Sequence, residues 1–325
     1  MNQPIDVVIT WVDGQDQKLA EKRRRYALSD ELEHDDIGGA TRYASIGEIK
    51  WCIASINRFA PWVHQIYVVT DGQDPNVFPF LEANFPEGYI PVEIVDHKQI
   101  FQGYEQFLPT FNSLSLETML WRIPGLSRHF IEMNDDLMFG ASVSPEDFFD
   151  GEGVPVCYAK KANLPLICLT RIIKRHKDGK PRMTFKGNMI AAALIAGNRW
   201  SFLMICHTVK PLVQDAFEEC LGQRPELIER NIRHRFRHIE QFNAEELHYL
   251  YLAHRKRLCL RNPKDVLFYL QPKNRKGYVQ HKLDQLKKKD YKFCCFNNLN
   301  LASDQDLNDI KAWIAQKLNI NENAI

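Results

Sequence analysis

Apolar and polar positions follow two periods along the first half of the chain. Ile5-Asp-Val-Val-Ile-Thr-Trp-Val12 is a near-continuous β-branched run, as expected of a strand buried on both faces. A polar, charged stretch from Asp13 to Ala40 follows, helical around Lys18–Tyr26. Ile46, Ile49, Ile53 and Ile56 fall at helical spacing and predict a helix that stops before Pro61. Gln65–Thr70 reads as the next strand, ended by Asp71-Gly72, and Val77–Phe85 as a short helix. Val92–Asp96 is a third strand. Asn112 stands where a helix N-cap would, opening a helix to about Trp121. His129–Met133 is a fourth strand running straight into Asn134-Asp135-Asp136.

This strand–helix alternation predicts an α/β fold: a Rossmann-like, mostly parallel open sheet with helices on both faces. Ligands of such sheets bind outside the carboxyl ends of the strands. Those ends are Thr10–Asp13, Thr70–Asp74, Asp96-His97 and Asn134–Asp136, rich in carboxylates and hydrogen-bonding groups. The second half is less regular and more helical. Gly187–Gly197, Thr208–Cys220 and Ala244–Arg255 look helical, Lys282–Lys292 is basic, and Asp304–Leu318 is an amphipathic helix. The expected organisation is an α/β part over residues 1–150 and a remainder over residues 151–325, in one continuous domain.

Composition narrows the field. The 325 residues are 45% hydrophobic and 26% charged, the profile of a globular protein. Lys+Arg (42) and Asp+Glu (41) nearly cancel, so no overall field points to a nucleic-acid partner. No apolar run approaches the ~20 residues of a membrane span, and the amino terminus shows no signal-peptide pattern. The eight cysteines include no Cys-x-x-Cys pair and read as reduced core thiols, which sets the expected compartment as cytoplasm.

Four segments carry candidate chemistry. Adjacent carboxylates at a strand end, Asp135 and Asp136, offer hard oxygen ligands to Mg²⁺ or Mn²⁺; the plainer alternative is an Asx turn capping the next segment. Arg233-His-Arg-Phe-Arg-His238 could clamp a diphosphate, with Arg237 giving bidentate hydrogen bonds, or could be a solvated basic face. His207 follows an apolar segment and could take a proton from an attacking hydroxyl, or be a satisfied structural histidine. At the first strand, Trp11 could stack on a base, Asp13 accept from a uracil or ribose, and Arg42 meet a phosphate. Core packing and surface pairing explain these three equally well.

Taken together, the segments resemble the Stealth family of hexose-1-phosphoryltransferases. Its first block looks like Ile5–Asp16. The second resembles Gly47–Trp51, Ser55–Trp62, Ile66–Gln73, Ile94–Phe101 and Leu108-Pro-Thr-Phe-Asn-Ser113, and ends in Arg122–Ser127 and Phe130-Ile-Glu-Met-Asn-Asp-Asp136. His207 in Cys-His-Thr resembles the third block, and Lys292-Phe-Cys-Cys-Phe-Asn-Asn298 the fourth. The likeness implies a GT-A-related sheet, with residues 1–150 as the nucleotide-sugar-binding part and residues 151–325 completing the active site of one catalytic domain. It implies a metal and diphosphate held by Asp135 and Asp136, His207 as base and Arg237 on phosphate. It implies substrate contacts by Thr10, Trp11, Asp13, Arg42, His97, Asn112, Ser113 and Asn134. Two positions depart from the family pattern. An Arg usual ahead of Ser55-Ile56 is Ala54 here, and the usual Asn-Asp of the last block is Asn297-Asn298, so Asn298 offers the metal an amide.

The implied reaction is transfer of N-acetylhexosamine-1-phosphate from a UDP-N-acetylhexosamine to an oligo- or polysaccharide hydroxyl, with release of UMP. In the bacterial members it resembles, this builds phosphodiester-linked capsular polysaccharide. A conventional metal-dependent GT-A glycosyltransferase would instead release UDP, and a carbohydrate-binding or capsule-assembly component with a decayed site is a third class. The basic stretches around Arg233–His238 and Lys282–Lys292 are compatible with peripheral attachment to the cytoplasmic face of the inner membrane.

Overall fold

The structure, a computed structural model, describes residues 3–27, 46–164, 173–175, 181–273 and 275–321. The elements run β1 (Ile5–Thr10), α1 (Gln17–Tyr26), α2 (Glu48–Phe59), β2 (Ile66–Thr70), α3 (Phe78–Asn84), β3 (Val92–Asp96), α4 (His97–Ile100), α5 (Ser113–Glu117), β4 (His129–Asn134) and β5 (Leu137–Phe139). Then come β6 (Val156–Asn163), β7 (Ile173–Arg175), β8 (Pro181–Met183), α6 (Phe185–Ile195), β9 (Ser201–Ile205), β10 (Lys210–Val213), α7 (Gln214–Phe217), α8 (Pro225–Ile232) and α9 (Ala244–His254). The chain closes with β11 (Cys259–Arg261), β12 (Leu267–Leu270), α10 (Tyr278–Lys288), β13 (Phe293–Phe296) and α11 (Asp304–Leu318).

The central sheet has the order β10-β4-β1-β2-β3. β4, β1, β2 and β3 are parallel, with Val7 opposite both Ile66 and Ile131 and Thr70 opposite Asp96. The β-branched runs are explained by burial on both faces. Val7, Ile9, Ile66, Val68, Ile131 and Met133 face one core cluster, shared with α2, α10 and α11. Val8, Tyr67, Val69 and Phe130 face another, shared with α6 and α9. Side chains alternate across a strand, so a strand with cores above and below must be apolar at every position. Helices therefore lie on both faces of a mostly parallel sheet, and the second half is the more helical, as the pattern predicts.

One expected helix starts late. Of the helix expected over Thr208–Cys220, Lys210–Val213 is instead β10, antiparallel to β4, and helical structure begins at Gln214, where α7 runs directly into a π-helical turn over Glu218–Gly222. Val209, Leu212, Val213, Ala216, Phe217 and Cys220 are all buried at helical spacing. Pro211, whose ring and missing N–H are unfavourable inside a helix, sits instead at the sheet edge, where proline is tolerated. The second half also docks on the first through β13, which pairs with β5 immediately after Asp135-Asp136. This pairing brings Phe296 N to the Asp136 carbonyl at 2.9 Å.

Among the described residues each cysteine is free, and Cys52, Cys157, Cys220, Cys294 and Cys295 are buried. No helix among the described residues is long and apolar enough to cross a membrane.

Candidate functional site

A cleft of about 590 Å³ opens at the carboxyl end of the parallel strands. It gathers residues that the sequence holds far apart: Thr10, Trp11, His97, Asn112, Ser113, Asn134, Asp135, Asp136, His207, Arg237 and Asn298 all line it. Two expected members are not brought in. Arg42 lies outside the described residues. Asp13 does not line the cleft: its Oδ1 accepts from Gln15 N at 2.9 Å, and its backbone N–H donates to Gln73 Oε1 at 3.0 Å, so it closes its own turn.

The carboxylate pair sits where β4 ends and β5 begins. Asn297 Nδ2 donates to Asp136 Oδ2 at 2.9 Å and the Cys295 thiol approaches the same oxygen at 3.6 Å, both delivered by β13 and the residue after it. Asp136 Oδ1 is buried with no hydrogen-bond partner among the described residues. Burial, and then the charges of Asp136 and Glu48, push the Asp135 carboxyl well above the usual range. The two half-buried carboxylates share a small pocket with a third acid, Glu48, so negative charge is concentrated there. Asn298 stands beside them in the left-handed region at φ 53°, where asparagine is among the few residues at ease.

Arg237 reaches the cleft from the segment after α8. Its Nη2 donates to Ser113 Oγ at 2.9 Å. Asn112 does not present a free amide to the cleft. Its Oδ1 accepts from Leu114 N at 3.2 Å and its Nδ2 faces the Phe236 carbonyl and Gln241 Oε1, both at 2.9 Å. It is 1% exposed, and its work is to cap α5 and fasten the Arg237 segment to it. His207 is exposed at the rim, its ring stacked on Phe185 (5.6 Å, 11°) and tilted against Tyr269 (6.1 Å).

The far wall carries buried polar atoms without partners among the described residues: Trp11 Nε1, both ring nitrogens of His97 and Thr110 Oγ1. Burial lowers the His97 pKa to about 4 against the pull of Asp71 and Asp96, so its ring is neutral at pH 7. Unpaired buried groups of this kind are costly unless a ligand satisfies them.

Sequence reasoning missed a second acidic group. Glu117 lines the cleft, and its carboxylate lies within 4.8 Å of those of Glu132 and Glu245. Lys210 Nζ stands among them, 2.9 Å from Glu132 and 2.6 Å from Glu245. Burial pushes Glu132 well up, and burial followed by the Glu245 charge raises Glu117 to about 7. Burial also acts on Glu245, but the Lys210 ammonium prevails and holds it low. No local signal marks this group, because Lys210 meets Glu132 only through the β10–β4 register.

Comparison with known proteins finds sequence relatives along most of the chain. Residues 3–31 match Stealth protein conserved region 1 and residues 42–157 match conserved region 2. The capsular polysaccharide phosphotransferase LcbA of Aeromonas hydrophila is 29% identical over 278 residues, covering 83% of this chain and 71% of that protein. LcbA of Neisseria meningitidis is 28% identical over 318 residues, covering 97% of this chain and 82% of that protein. The exopolysaccharide phosphotransferase cps2G of Lactiplantibacillus plantarum is 38% identical over 151 residues, 46% of this chain and 41% of its own length. The match thus spans less than half the length of cps2G, and a quarter of the Streptomyces coelicolor relative SCO2594.

Proposed function

The chain belongs to the Stealth family, and from that membership and the cleft we propose that it transfers an N-acetylhexosamine-1-phosphate from a UDP-sugar to a carbohydrate hydroxyl, releasing UMP and forming phosphodiester-linked capsular polysaccharide. The observation that carries the proposal is the convergence of Asp135-Asp136, Arg237 and His207, from three distant segments, on one cleft.

The acceptor oxygen attacks the β-phosphorus as the bond from that phosphorus to the bridging oxygen breaks, and the bridging oxygen leaves with UMP. Such a transfer needs positioning and charge neutralisation more than covalent help. Arg237, held by Ser113, turns its guanidinium toward the diphosphate. His207 accepts the acceptor's proton; Phe185 stacked on its ring fixes the orientation while the rim stays open to the acceptor. Trp11 Nε1, His97 and Thr110 Oγ1 supply donors and acceptors for the nucleoside.

A divalent cation fits the carboxylate pair. Asp136 Oδ1 lacks a partner among the described residues and Asp135 is destabilised as an anion by burial and then by its acidic neighbours, so Asp135 and Asp136, with the Asn298 amide oxygen, would hold Mg²⁺ or Mn²⁺. Bound there, the ion would neutralise charge on the transferring phosphoryl group.

The free cysteines support a cytoplasmic setting, and the basic end of α10, Lys287 and Lys288, suits peripheral contact with an acidic membrane face or an anionic product. Incubation with UDP-GlcNAc, other UDP-N-acetylhexosamines, Mg²⁺ and an oligosaccharide acceptor tests the proposal through the nucleotide released. UMP supports it; UDP with a phosphorus-free product refutes it.

A further inference from the structure

We propose that His234, His238 and Glu240 form a second metal site, suited to a transition-metal dication such as Zn²⁺, on the outer side of the segment that presents Arg237. His234 Nε2 lies 3.1 Å and His238 Nδ1 3.8 Å from the same oxygen, Glu240 Oε2. All three ligand atoms fall within 4.8 Å of one another. Ligands about 2.0–2.1 Å from a tetrahedral Zn²⁺ stand roughly 3.3 Å apart. Two of the three edges are therefore already within about 0.5 Å of that figure, and the third is no longer than 4.8 Å. The two imidazoles stack face to face at 3.9 Å with an interplanar angle of 11°, so one ring must turn about its Cβ–Cγ bond before both lone pairs meet on one ion. His238 and Glu240 are exposed and His234 is half-buried, so an ion reaches the site from solvent and keeps a water as its fourth ligand.

The ligand set differs in kind from Asp135 and Asp136. Two imidazoles and one carboxylate suit Zn²⁺, Co²⁺ or Ni²⁺, whereas an all-oxygen set suits Mg²⁺ or Mn²⁺. The surroundings sharpen that preference. Arg230 donates to the Glu240 carbonyl at 2.8 Å, and Arg233 and Arg235 belong to the same stretch. Their charge opposes any dication and leaves room for one that gains a strong bond to imidazole nitrogen. The ion must also displace the long 3.3 Å contact from Glu240 N–H to His238 Nδ1.

The site has a mechanical meaning. The segment is laced to the cleft wall by Phe111 N–H to the Arg235 carbonyl (2.9 Å) and Ser115 Oγ to the His234 carbonyl (3.2 Å). An ion bridging 234, 238 and 240 would clamp the outer side of the turn that carries Arg237 to Ser113. The effect on turnover rests on the reading of Arg237 given above; the binding of the ion does not.

Metal-stripped full-length protein titrated with Co²⁺, whose visible absorption reports histidine-containing tetrahedral coordination, tests this without recourse to turnover. One Co²⁺ per chain, displaced by Zn²⁺ and retained in Asp136→Asn, is expected. His238→Ala and Glu240→Gln change exposed side chains and should fold normally. Each should weaken binding roughly 100-fold or more, since loss of an outer-shell partner alone costs about 10–100-fold. Zn²⁺ should raise the Tm of the unsubstituted protein and of neither variant. Absence of Co²⁺ binding would overturn the proposal, and so would undiminished binding in both variants, which would put the ion elsewhere, as at Cys206 and His207.

Discussion

Asn297 donates a 2.9 Å hydrogen bond to Asp136 across 161 residues of chain. This contact sets one oxygen of Asp136 against β13 and leaves the other, Oδ1, without a partner among the described residues. The pairing of β13 with β5 makes it possible, so the orientation of a cleft carboxylate depends on a strand from the far end of the sequence.

Asn297→Asp replaces the donor with a second acid and should misorient Asp136 while leaving the fold intact. Outer-shell partners of this kind change metal affinity by about 10–100-fold. The concentration of Mg²⁺ giving half-maximal turnover should rise by that factor, and an unchanged Mg²⁺ dependence would disconnect Asn297 from the site.

Asp136→Asn removes a charge that pushes Asp135 up. Metal-free protein should therefore gain stability, by about 1–2 °C in Tm if the relief is about 1 kcal/mol. Turnover and the Mg²⁺-induced rise in Tm should both be lost. A variant that melts lower without metal would show that the repulsion is not there.

Of the four parallel strands, β1, β2 and β4 were legible in the sequence because both faces of each are buried, which forces near-continuous apolar runs such as Val7–Ile9 and Ile66–Val69. β3, at the sheet edge with only Val95 buried, was legible from Val92, Ile94 and Val95 set among polar neighbours. Most of the cleft was legible for a related reason. Parallel strands place their carboxyl ends on one edge, and those ends carry Thr10, Trp11, His97 and Asn134–Asp136. β10 was not legible, since Val209, Leu212, Val213, Ala216 and Phe217 keep helical spacing while tertiary pairing with β4 decides the outcome. The Glu117–Glu132–Glu245–Lys210 group was hidden with it. Asn112 was recognised as a cap, and its buried bonds to the Arg237 segment could be seen only once α8 and α5 were in place. Asp13 closes its own turn through Gln73, a pairing across 60 residues that no local pattern shows.

Lys210→Met would leave Glu132 and Glu245 facing each other in the core without their counter-ion. Breaking a buried pair from one side costs about 3–5 kcal/mol, so urea unfolding should show a loss of that order. A loss under 1 kcal/mol would mean that the carboxyls share a proton and need no lysine.

His97 contributes a definite pH dependence. Its folded pKa of about 4 lies below the ordinary 6.5, so between those values the unfolded chain binds a proton that the native protein excludes. Stability therefore rises with pH through this window and is lost as pH falls from 6.5 toward 4, by up to about 1.4 kcal/mol per pH unit. His97→Gln should flatten that slope in unfolding free energies measured from pH 4.5 to 7; an unaltered slope would assign it to other groups.

His207→Ala should lower turnover by about 10²–10⁴-fold, the usual contribution of a general base, with the donor KM near that of the unsubstituted enzyme. Phe185→Ala, which removes the stacking partner, should give a smaller fall in the same parameter. Near-normal turnover in His207→Ala would remove the histidine from the chemistry.

The most direct measurement is the identity of the nucleotide released from a UDP-N-acetylhexosamine in the presence of acceptor, read together with the ³¹P spectrum of the product. Attack on the β-phosphorus predicts UMP, one phosphodiester signal per sugar transferred, and loss of both in Asp136→Asn. Release of UDP with no phosphorus in the product would contradict sugar-1-phosphate transfer and place the attack at the anomeric carbon.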